Sequence, residues 1–119
     1  MVSIGEGLKQ AVLIALGDKE MLRIMDAVMF KPHSVNDIII ETGIPHTTAY
    51  RKVKWLMDNN LIAVEKITIT SDGKKSSSVR TTWKSFKVNY EHNQVIVEGE
   101  KNFNPVERTA VDFFSLDSP

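Results

Sequence analysis

Residues 34–62 read SVNDIIIETGIPHTTAYRKVKWLMDNNLI, and the fold is decided in this stretch. Ser34 suits a helix N-cap, and Asp37 three residues on completes a weaker form of the capping box. Val35, Ile38 and Ile39 recur at helical spacing, which predicts a helix from Val35 to about Thr42. Gly43 can adopt the left-handed conformation that ends helices. Ile44 and Pro45 make a tight apolar turn. A second helix is predicted from about Thr47 to Asn59, with Ala49, Val53, Leu56 and Met57 inward. Helix, glycine turn and helix at this spacing form a helix-turn-helix over residues 34–59.

Working outward, two helices precede this unit. Leu8 to Leu16 carries apolar residues at Leu8, Val12, Leu13 and Leu16. Gly17 interrupts it, and Asp18 is suited to cap a second helix from Lys19 to Phe30. Met21, Met25 and Met29 lie four apart there and read as core filler. Pro32 closes the segment, since proline cannot continue a helix.

Downstream the period changes from helical to alternating. Leu61 to Thr70 reads as a strand, Ser71-Asp72-Gly73-Lys74-Lys75 as a polar turn, and Ser77 to Arg80 as the returning strand. This basic-tipped hairpin, residues 61–80, is a candidate wing. A second hairpin over residues 85–98 is predicted to extend the same sheet, with Phe86, Val88 and Tyr90 on one face. Asn104-Pro105 opens a predicted C-terminal helix over residues 105–116, with Val106, Ala110, Phe113 and Phe114 along one side. The expected architecture is α+β: a single winged helix-turn-helix domain over residues 1–119, with four N-terminal helices, two hairpins and a C-terminal helix.

Composition narrows the function classes. The 119 residues suffice for one core but not for two independent ones. No apolar run approaches the length of a membrane span, and a cytoplasmic location is expected. Cysteine is absent, which excludes disulfides, thiolate metal sites and a cysteine nucleophile. His33, His46 and His92 fall in separate segments without metal-ligand spacing, and no Ser-His-Asp arrangement is suggested, so neither catalysis nor a cofactor is expected. Net charge is zero, but its distribution is uneven. From His46 to Lys87 nine basic residues face three acidic ones, an excess of six balanced by an equal acidic excess elsewhere. A basic face of this kind attracts phosphates.

The second helix of a helix-turn-helix presents its first turns to the DNA major groove. Those turns supply His46, Thr47, Thr48, Tyr50, Arg51 and Lys54. Threonine can contact phosphate or a thymine methyl, arginine and lysine can reach guanine acceptors or phosphate, and tyrosine can hydrogen-bond backbone oxygen. On the wing, Lys74, Lys75, Ser76 and Arg80 are the candidate phosphate contacts. The apolar residues Leu8, Val12, Val106, Ala110, Phe113 and Phe114 are candidates for a homodimer interface, because a stripe left over after the core is filled is a partner surface. The alternative is a winged-helix module that docks on a polymerase, chromatin or scaffold partner without specific DNA contact.

ALGDKEMLRIMDAV at Ala15 to Val28, the block from Ser34 to Ile62, and VRTTWKSFKVNY at Val79 to Tyr90 together resemble archaeal ArsR-like winged-helix regulators. The resemblance implies a homodimeric, double-stranded-DNA-binding transcription regulator with Thr47, Thr48, Tyr50, Arg51 and Lys54 on its recognition helix. It places Lys74 and Lys75 on the wing, and terminal helices at the dimer contact. The metal-sensing branch carries paired cysteines in the first helix of the helix-turn-helix. The matching stretch here, Val35 to Thr42, has none, which argues against soft-metal sensing.

Overall fold

Apolar side chains at helical spacing in the first half, then at alternating spacing in the second, produce an α+β structure. The computed structural model describes residues 1–102, with helices α1 (Glu6–Leu16), α2 (Lys19–Ala27), α3 (Val35–Thr42) and α4 (His46–Asp58). The strands are β1 (Val2–Ser3), β2 (Ile62–Ile69), β3 (Lys75–Thr81), β4 (Trp83–Glu91) and β5 (Gln94–Lys101). The predicted C-terminal helix, with Val106, Ala110, Phe113 and Phe114, lies outside the described residues.

Local chemistry sets the helix boundaries. Asp18 accepts hydrogen bonds from the amides of Glu20 and Met21, both 2.9 Å, and so starts α2. Ser34 accepts from the amide of Asp37 at 3.1 Å to start α3. Gly43 ends α3 at φ 72°, where a side chain would strain the backbone. α2 stops at Ala27, short of the predicted Phe30. Val28 leaves helical geometry at φ −112°, ψ 20°, and the carbonyls beyond α2 pair with other segments: Thr81 donates its amide to Val28 O, and both Arg80 Nε and Asn102 Nδ2 donate to Met29 O. Phe30 is left exposed.

Val12, Ile24, Val28, Ile38, Ala49 and Leu56 are fully buried and join the helices into one core, to which Ile62, Val79, Trp83 and Val97 bring the strands. The burial of Val12 corrects its assignment to a dimer surface: it is enclosed by its own chain. Leu8 is half-buried and packs against the same core.

Sheet topology departs from expectation. β2 and β3 form a two-stranded antiparallel sheet, while β4 and β5 pair with β1 in a separate sheet of order β1-β5-β4. The second hairpin therefore does not extend the first. β1 pairs Val2 with Gly99 and Ser3 with Glu98, a strand too short to show a sequence period. Gly99 is required where it stands, since a Cβ there would lie 2.6 Å from the Trp83 ring. One further backbone bridge joins His33, between α2 and α3, to Val79 of β3 and fastens the first hairpin to the helices.

Candidate nucleic-acid interface

The turn at Gly43 to Pro45 sets α4 across the helical core, with Ala49, Val53, Leu56 and Met57 buried. The opposite side of α4 is thereby turned to solvent. His46, Thr47, Tyr50, Arg51 and Lys54 are exposed, and Thr48 is half-buried. His46 and Tyr50 stack one turn apart with ring centroids 4.6 Å apart, which orients both side chains. Lys54 forms an ion pair with Asp58 at 2.9 Å, an exposed i,i+4 contact of small energy.

Across from α4 stands the first hairpin. Its tip is organised by Thr70: the Thr70 amide donates to Lys74 O at 2.7 Å, the Gly73 amide donates to Thr70 O at 2.9 Å, and the Thr70 hydroxyl contacts both Asp72 and Lys74. The hydrogen bond from the Thr70 hydroxyl holds the Asp72 carboxyl below its ordinary pKa. Gly73 sits at φ 82°, and Lys74 and Lys75 are exposed beside it. Between hairpin and helix lies a groove of about 670 Å³, lined by Ser34, Val35 and Asn36 at the start of α3, by Tyr50, Arg51, Val53, Lys54 and Met57 of α4, and by Lys75, Ser76 and Ser77 of β3. Residues from both predicted halves of the interface thus face one space.

Not every candidate belongs to it. Arg80 lies at the base of the hairpin, donating to Met29 O at 3.1 Å and pairing with Glu65 at 3.0 Å. Its guanidinium holds β3 to the end of α2, which corrects its assignment to phosphate binding. Lys52 is likewise turned inward, pairing with Asp18 at 2.6 Å and Glu20 at 2.9 Å. These carboxylates raise the Lys52 pKa, and the Lys52 ammonium lowers that of Asp18. Lys84 lines a different groove beside Trp83, and Lys87 stands on β4 opposite Glu98 of β5. The basic excess between His46 and Lys87 is therefore divided among several surfaces, and Arg51, Lys54, Lys74 and Lys75 are its part on α4 and the hairpin tip.

Trp83 is buried, packing against Phe86 with Lys101 over its ring. Sequence reasoning missed the role of Asn102, whose amide nitrogen donates to Met29 O and Thr81 O at 2.7 and 3.1 Å and locks the end of β5 against α2. Among the described residues, no group of three or more His, Asp or Glu side chains could hold a metal ion, and no helix is long and apolar enough to cross a membrane. No protein-family model matches the chain, and no curated protein matches it in sequence.

Proposed function

We propose that this chain is a winged helix-turn-helix protein, ArsR-like in type, that binds double-stranded DNA as a homodimer and regulates transcription. The observation that carries the proposal is the shared groove: Arg51 of α4 and Lys75 of the first hairpin line one space, with exposed Thr47 at the helix start and Lys74 at the hairpin tip. A helix entering the major groove beside a cationic hairpin on the phosphates needs both parts on one side. The His33–Val79 bridge supports the same fold, because it fixes the hairpin relative to the helix pair. In this mechanism Lys74 and Lys75 supply sequence-independent attraction to the backbone. Arg51, with Thr47 and Thr48, reads base edges, and Tyr50 hydrogen-bonds a phosphate.

A second function, docking on a protein partner, is favoured by one observation. Ile40 on α3 and Phe30 after α2 are 81% and 79% exposed, which leaves apolar surface uncovered within the described residues. Selection of bound fragments from random duplex DNA separates the two. Enrichment of a common site supports regulation, whereas recovery of random sequence or of none favours the docking module.

A further inference from the structure

The groove between α4 and the first hairpin has a composition that a phosphate backbone does not explain. A site for phosphate alone is lined by cations, amides and hydroxyls. Here Val35, Met57 and the ring of Tyr50 contribute apolar wall, while Arg51 and Lys75 stand as cations in the same lining. Both cations are exposed, and neither has an ion pair among the described residues. The volume, about 670 Å³, lies within the range of small-molecule sites, roughly 300–1,000 Å³, whose walls are mostly apolar with few polar groups.

We propose that this groove binds a small amphipathic monoanion, a carboxylate on a flat apolar body. The body lies against Val35, Met57 and Tyr50. The carboxylate accepts hydrogen bonds from Arg51, whose planar fork suits it, and is attracted to Lys75. Because Arg51 and Lys75 are the cations assigned to DNA above, the ligand displaces duplex DNA, and this second step rests on the DNA-binding proposal. The site is thus an effector site that acts by direct competition, with no movement of the fold required.

The test is titration of the isotope-labelled full chain with 1-naphthoate, followed by amide chemical shifts. The expected result is saturable one-site binding with Kd of about 1 mM or tighter, as the size of the probe allows. The shifts should centre on Val35, Tyr50 and Ser77. Inorganic phosphate, which lacks the apolar body, and 1-naphthalenemethanol, which lacks the charge, should each bind at least about tenfold more weakly. Arg51→Ala with Lys75→Ala, both at exposed positions, should weaken naphthoate about tenfold without lowering Tm. Absence of shifts, shifts centred on Trp83, or phosphate binding as well as naphthoate would overturn the site. A separate duplex titration keeps the two proposals apart. DNA bound but undisturbed by saturating naphthoate overturns competition, while naphthoate bound by a chain that binds no DNA retains the site and removes the DNA proposal.

Discussion

Asp18 joins two helices with one carboxylate: it caps α2 and holds Lys52 of α4. Its pKa is held below the ordinary 3.8, first by the hydrogen bond from Lys52 and then by the amide of Met21. A depressed carboxyl stabilises the fold above its unfolded pKa, and that contribution is lost as pH falls through the folded value. Asp18→Asn retains a capping oxygen but loses the charge, so it should destabilise by about 1 kcal/mol at neutral pH, less as the pH drops below 3.8. Lys52 has the opposite sign: its pKa is raised above 10.5, so its contribution is present below that value and lost in stronger alkali. Urea unfolding of both proteins from pH 2.5 to 7 checks the acid limb, and a constant difference across it would contradict the assignment. Gly99→Ala places a methyl 2.6 Å from the Trp83 ring and should cost about 1–3 kcal/mol, measured by the same unfolding. At this scale the sequence was legible wherever a side chain acts on its neighbours, as at Asp18, Ser34 and Gly43. It was silent on Lys52, Gly99 and Asn102 and misassigned Arg80, because the partners named for them lie 15 or more residues away along the chain.

The elements divide in the same way. α3 and α4 follow from apolar spacing, a cap and a glycine, all contained within one stretch of sequence. Strand pairing does not, because period two identifies a face without identifying the neighbour. Alternation alone thus predicts the second hairpin on the first sheet, whereas β5 pairs with β1 and β4 in a separate one. The positive φ angles of His92 and Asn93 close its turn, and they fix the register that sets Val88 opposite Val97. For the first hairpin, the Thr70 hydroxyl donates to the Asp72 carboxylate and accepts from the Lys74 amide. Thr70→Val should therefore leave Tm nearly unchanged but speed hydrogen exchange at Gly73 and Lys74, since those amides belong to the tip alone. Unchanged exchange would show that Gly73 suffices to hold the turn. The candidate interface was legible as two separate elements, and the groove between them came only from packing.

For the molecule as a whole, the sum of charges is a poor guide and their placement is the useful quantity. Lys52 and Arg80 work inside the fold, while Arg51, Lys54, Lys74 and Lys75 flank or cap the groove. Homodimer formation is a separate matter of apolar surface. With Val12 enclosed by the core, the proposed interface rests on Val106, Ala110, Phe113 and Phe114. Sedimentation of the full chain at about 50 μM should give a dimer that Phe113→Ala with Phe114→Ala converts to monomer, and a full-length monomer would contradict the interface. DNA binding is tested most directly by the salt dependence of duplex affinity in the wild-type chain and in Lys74→Ala with Lys75→Ala. Each phosphate neutralised contributes about 0.9 to the slope of log affinity against log salt, so Lys54, Lys74 and Lys75, with Arg51 on a base edge, predict a slope of about 3 per chain. Loss of the hairpin pair should reduce that slope by about two and weaken all sequences alike. No duplex binding at low salt, or a slope unchanged in the double variant, would contradict the account.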